Sequence, residues 1–156
     1  MNPWSLSKIN ISKMPSKLDI LFLCTGNSCR SQMAEGWTRH LKNDLINVWS
    51  AGIETHGLNL DAVFVMAEAG VDISHNKSKH IDELKDKNFD YVITVCGHAH
   101  ETCPLFPGKT KTIHIPFNDP PKIAAQYNNK ETKLNCYREV RDEIKSFVLS
   151  LPGSLF

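Results

Sequence analysis

A chain of 156 residues, 41% hydrophobic and 22% charged, is long enough to form one domain with its own core. A formal net charge of +1 excludes a global field for nucleic acid or anionic lipid, so any attraction for anions must be local. No apolar run approaches the length of a membrane span.

Met1 to Lys17 is polar and mixed, carries Pro3 and Pro15, and lacks the apolar stretch of a secretory signal. Residues 1–16 read as a flexible extension and 17–156 as the domain, with Met14 an alternative start. Five cysteines in such a chain point to a reducing cytoplasm, where spaced thiols are catalytic or metal-binding rather than structural bridges.

Leu18 to Leu23 is a nearly unbroken apolar run, the pattern of a strand buried on both faces of a parallel sheet. Cys24 stands at its end. Five small or polar residues follow, and after Arg30 the sequence turns helical through Ser31-Gln32-Met33-Ala34-Glu35-Gly36-Trp37. Strand, tight loop and helix N-terminus together form an anion cradle, because their free N–H groups converge on one point. The amides of Thr25, Gly26, Asn27, Ser28, Cys29, Arg30 and Ser31 are its expected donors, and the Arg30 fork holds two further oxygens. Cys24 at the mouth is the candidate nucleophile. The same donors should lower its pKa from about 8.5 to roughly 3.5–7.5. Gly26 permits a positive φ, and Asn27 either tolerates the left-handed region or bonds across the loop.

Helical spacing of Met33, Ala34, Trp37 and Leu41 predicts a helix over 31–42, with Glu35 in its first turns. Ile46 to Ala51 alternates and ends at Gly52, a second strand. Leu58 to Ala69 reads as a helix stopped by Gly70, and Ile81 to Leu84 as a short helical turn. Phe89 to Val95 is a central strand that also ends in a cysteine, Cys96. Thr110 to Ile115 is a fourth strand, and a long helix spans about Leu134 to Leu151. This alternation predicts a single-domain α/β fold, a three-layer α/β/α sandwich on a four-stranded parallel sheet. Ligands in such folds sit beyond the carboxyl ends of the strands, where Cys24 and Cys96 stand.

Cys96 and Cys103 flank six residues after that strand. Three thiols suit a relay in which one forms a covalent adduct, one resolves it and one carries the disulfide outward. Cys96, His98, His100 and Cys103 are also a ligand set for zinc, but the spacing matches no usual finger and no metal site is expected. Alternatively, Cys96 is a core thiol and Cys103 an incidental loop residue. Asp119, in a Pro-framed turn after the last strand, is a candidate proton donor to a leaving oxygen. Cys136 reads as a half-buried small hydrophobe.

Cys24-Thr-Gly-Asn-Ser-Cys-Arg-Ser-Gln-Met-Ala-Glu-Gly-Trp37, followed by Ser50-Ala-Gly-Ile-Glu-Thr-His-Gly57, resembles the thioredoxin-coupled arsenate reductases, which share the low-molecular-weight tyrosine phosphatase fold. The match runs from about Lys17 to Leu151. The resemblance implies that Cys24 attacks arsenate held by the loop and Arg30, with Asp119 assisting loss of oxygen. It further implies a Cys24–Cys96 disulfide on arsenite release, then a Cys96–Cys103 disulfide reduced by thioredoxin. No bound cofactor is implied, and a monomer is expected. Some relatives bind potassium through positions matching Asn27, Glu35 and Ser50 plus an aspartate. Here Lys79 stands at that fourth position, so the potassium site is expected to be absent. The alternative is a low-molecular-weight protein tyrosine phosphatase or small phosphoester phosphatase, which shares Cys24, Arg30 and Asp119 but has no use for the other two thiols.

Overall fold

A computed structural model describes residues 16–97, 101, 103–104, 106 and 108–156. Residues 1–15, most of the predicted extension, lie outside the described residues, as do His98 and His100.

Four strands, β1 (Leu18–Cys24), β2 (Ile46–Gly52), β3 (Tyr91–Thr94) and β4 (Lys111–His114), form one parallel sheet in the order β2-β1-β3-β4. The helices are α1 (Arg30–Lys42), α2 (Leu60–Glu68), α3 (Pro120–Ala124) and α4 (Lys130–Leu149), with a 3-10 turn at Ile81–Leu84. Ile20 to Leu23 and all of β3 are buried, as central strands covered on both faces must be.

Alternation along β2 separates the two faces. Ser50 points at α1, where its hydroxyl donates to Glu35 at 3.1 Å, so Trp49 points the other way. There its indole meets Phe89 edge-on at 5.6 Å, Phe89 meets Phe106 at 6.2 Å, and the Lys87 ammonium sits 4.1 Å over the Trp49 ring. On the α1 side, Met33, Ala34 and Trp37 are buried against the sheet and α4, and the indole N–H donates to the Arg141 carbonyl at 3.1 Å. Burying a large apolar side chain of this kind contributes about 1.5–3 kcal/mol.

Beyond shifts of one or two residues at element ends, two features differ from expectation. α4 begins at Lys130 rather than Leu134, because the Asn129 side chain accepts from the Thr132 N–H at 3.0 Å and caps a polar first turn that apolar spacing does not register. The turn-rich stretch after β4 contains α3, whose first helical residue is a proline.

β1 and β3 are parallel neighbours with Leu23 opposite Thr94, and the Val95 N–H continues the ladder to the Leu23 carbonyl at 2.9 Å. Both strands therefore deliver their cysteines to the same edge of the sheet.

Candidate active site

The loop after β1 is tied from behind, carbonyl by carbonyl. The Cys24 carbonyl accepts from Ile53 N–H at 3.2 Å, Thr25 from Glu54 at 2.8 Å, Gly26 from His56 at 3.0 Å and Ser28 from Asn59 at 3.0 Å. The Asn27 carbonyl accepts from the Gln32 amide at 3.2 Å, Cys29 from Met33 N–H at 2.9 Å, and Gly26 also from the Ser78 hydroxyl at 2.7 Å. In a trans peptide the next N–H points opposite to its carbonyl, so outward carbonyls turn the loop amides inward.

Asn27 pins the centre of the loop. It is fully buried and holds φ at 47°, the left-handed conformation that asparagine tolerates. Its amide donates to Ser31 and Ser50 hydroxyls, each at 2.9 Å, while its oxygen accepts from Gln32 at 3.0 Å and the Lys79 N–H at 2.8 Å. The Lys79 ammonium lies 3.5 Å from that oxygen and 2.8 Å from the Lys77 carbonyl.

α1 starts at the loop's end with no side-chain cap and no acid in its first turn, whereas α2 and α4 are capped by Asn59 and Asn129. Its N-terminal dipole is left for an anion. Glu35 sits beyond that first turn, buried, with Ser50, Asn76 and Arg39 donating to its carboxylate at 3.1, 3.0 and 3.2 Å.

These groups face a pocket of about 320 Å³ whose lining includes Cys24, Thr25, Ser28, Cys29 and Arg30. Asp119 reaches it from the start of α3, its carboxylate 3.7 Å from the Arg30 guanidinium, and Arg30 also donates to the Phe117 carbonyl at 3.1 Å. His56 and Asn59, which sequence reasoning did not select as site residues, line the wall together with Pro121. Their only signal was a place in the Ser50–Gly57 stretch and its sequel.

Cys96 is buried at the same edge. Its thiol contacts the Thr25 hydroxyl at 3.1 Å and lies close enough to the Cys24 thiol to raise that group's pKa. This contact corrects one expectation. The Cys24 pKa is raised rather than lowered, by the Cys96 hydrogen bond first and burial second, against the opposing pull of Arg30 and the Thr25 N–H. Two thiols in contact titrate as a pair and hold one thiolate between them at most. Burial also pushes the Cys29 thiol up, so that buried sulfur stays protonated and packs. Cys103 is half-buried, with its thiol 3.5 Å from the Pro104 carbonyl. Cys136 is half-buried on α4. Among the described residues, no three His, Cys, Asp or Glu side chains cluster as a metal site.

The sequence matches the low molecular weight phosphotyrosine protein phosphatase family over residues 19–155. It is 52% identical over 129 residues to an arsenate reductase of Bacillus licheniformis, a match spanning 83% of this chain and 91% of that protein. The fold superposes on an arsenate reductase in its reduced state with a TM-score of 0.66 and 30% identity, covering 90% of this chain and 100% of the other. A thioredoxin-dependent arsenate reductase from Corynebacterium glutamicum gives 0.64 and 26%, covering 92% of this chain and 63% of that one.

Proposed function

We propose, for a chain that belongs to the low molecular weight phosphotyrosine protein phosphatase family and within it to the arsenate reductases, that it reduces arsenate to arsenite through Cys24, Cys96 and Cys103. The observation that carries this reading is the 3.1 Å contact of the Cys96 thiol with the Thr25 hydroxyl, on the loop that begins at Cys24 and ends at an uncapped helix N-terminus. A phosphatase needs the first sulfur alone.

Arsenate occupies the cradle formed by the amides of residues 25–31 and Arg30. The Cys24 thiolate attacks arsenic, and the departing oxygen leaves as water with a proton from Asp119, giving an S–As(V) bond. As Cys24 bonds to arsenic, the proton it shared with Cys96 passes to an oxygen of the arsenic group, which leaves Cys96 as the thiolate. The Cys96 thiolate, supported by the Thr25 hydroxyl, then attacks the Cys24 sulfur. The S–As electron pair passes to arsenic, which leaves as arsenite, and a Cys24–Cys96 disulfide remains. Cys103 attacks the Cys96 sulfur and frees Cys24. The dithiol of thioredoxin reduces the Cys96–Cys103 disulfide. No bound cofactor takes part. Lys79 stands in for a potassium ion beside Asn27, which its 3.5 Å approach to the Asn27 oxygen supports. The chain is taken to act as a monomer in the cytoplasm, a reducing compartment that keeps its five thiols available.

The test is arsenite production, with thioredoxin recycling, by wild type and by Cys24→Ser, Cys96→Ser and Cys103→Ser. The first two should release no arsenite, and the third should release one equivalent and stop. Normal multiple turnover by Cys103→Ser would falsify the relay.

A further inference from the structure

His56 lines the pocket wall without a role in the steps above. His56 is the most exposed of the lining side chains, about half open to solvent, and so stands on the rim. Its ring lies directly over Gly26, since a β-carbon placed there would come within 2.3 Å of the imidazole Nδ1 and 2.5 Å of Cγ. Three bonds fix the ring's position. The His56 N–H donates to the Gly26 carbonyl at 3.0 Å, Glu54 N–H donates to Thr25 at 2.8 Å, and the imidazole Nε2–H donates to the Glu54 carboxylate at 2.7 Å. A carboxylate only accepts, so that nitrogen carries the hydrogen. Asp119, also partly open, stands on the rim as well.

We propose that the His56–Glu54 pair is the specificity-determining element of this pocket. The buttressed ring narrows the mouth over Gly26, admitting a free tetrahedral oxyanion and turning away an organic phosphate ester. The inference rests on the arsenate-reducing reading. In an in-line attack by Cys24 the departing oxygen points away from the sulfur, toward the open side where Asp119 waits. On free arsenate that oxygen carries at most a proton. On an ester it carries the whole organic group, which must pass between the rim residues. A pocket of about 320 Å³ lies at the small end of the usual roughly 300–1,000 Å³ range, and among the described residues its wall offers no phenyl, phenol or indole ring to stack an aryl ester. Glycine at 26 is part of the device, because any side chain there would displace the ring.

The experiment compares wild type, His56→Ala and Glu54→Ala in the full chain, using arsenate with thioredoxin recycling and, separately, p-nitrophenyl phosphate hydrolysis. The quantity read is the ratio of ester to arsenate kcat/KM. His56→Ala should raise it about tenfold, the lower end of what one group in a pocket contributes, mainly through a lower ester KM. Glu54→Ala, which frees the ring without removing it, should raise the ratio by a smaller factor. Because Glu54 is largely exposed, this variant decides the matter if His56→Ala fails to fold. A ratio within twofold of wild type overturns the proposal while arsenate reduction stands. A wild type that makes no arsenite overturns the underlying reading instead.

Discussion

The Thr25 hydroxyl lies 3.1 Å from the Cys96 thiol, so the second sulfur is docked on the loop that presents the first. In the proposed relay Thr25 serves twice, offering its N–H to the anion cradle and its hydroxyl to the attacking thiol. Thr25→Val removes only the second function. A hydrogen bond to a charged partner is worth about 1.5–3 kcal/mol, so arsenite release should slow roughly tenfold or more in a single turnover. Phosphate affinity, measured by calorimetry, should stay near wild type. Equal release rates would show that the hydroxyl does nothing for Cys96.

Lys79 places an ammonium beside the Asn27 oxygen that organises the loop. Turnover should therefore be the same in sodium and potassium buffers at equal ionic strength. Lys79→Asp should lose activity in sodium and regain part of it in potassium. A wild type that differs clearly between the two salts would remove the idea that the side chain replaces an ion.

Gly52 has no room for a side chain. A β-carbon there would lie 2.3 Å from the Glu54 carbonyl and 2.7 Å from the Asn27 N–H nitrogen, both backbone atoms that cannot swing aside. Gly52→Ala should cost about 1–3 kcal/mol of stability and loosen anion binding together. Denaturant midpoints and phosphate titration check both effects.

Alkaline pH should destabilise the protein. The Cys29 thiol is raised above its ordinary 9.0, chiefly by burial, and burial raises the Tyr137 phenol to about 12. Their contribution is fully present below the unfolded values. As pH rises past about 9, the unfolded chain gives up protons that the folded chain keeps, and stability falls. Urea midpoints between pH 7.5 and 10.5 should decline in the upper half of that interval, and Cys29→Ala should decline less steeply.

The sheet was legible because β1 and β3 are buried on both faces and advertise it with continuous apolar runs. The loop after β1 was legible because Cys24, Arg30 and the small residues between them lie together in sequence. Cys96 was legible for a topological reason: a cysteine at the end of a central strand arrives beside its neighbour's.

What escaped depends on contacts over long separations. His56 and Asn59 reach the pocket because their backbones strap the loop, a role any residue type could fill and so one without a compositional mark. The raised Cys24 pKa was missed for a related reason. The cradle's donors are visible from the loop sequence, but the opposing Cys96 contact comes from a residue 72 positions away. Asn129 was overlooked as a cap because the apolar period of α4 begins one turn later.

The six outward-tied carbonyls of residues 24–29 carry a last consequence. A cavity shaped by its own scaffolding does not depend on its contents for form, so phosphate and sulfate, near isosteres of arsenate, should compete for it. Cellular abundance then governs which ion is inside, and affinity cannot single out arsenic. Selection comes afterwards: pentavalent arsenic accepts two electrons from sulfur, whereas phosphorus refuses them and departs unchanged.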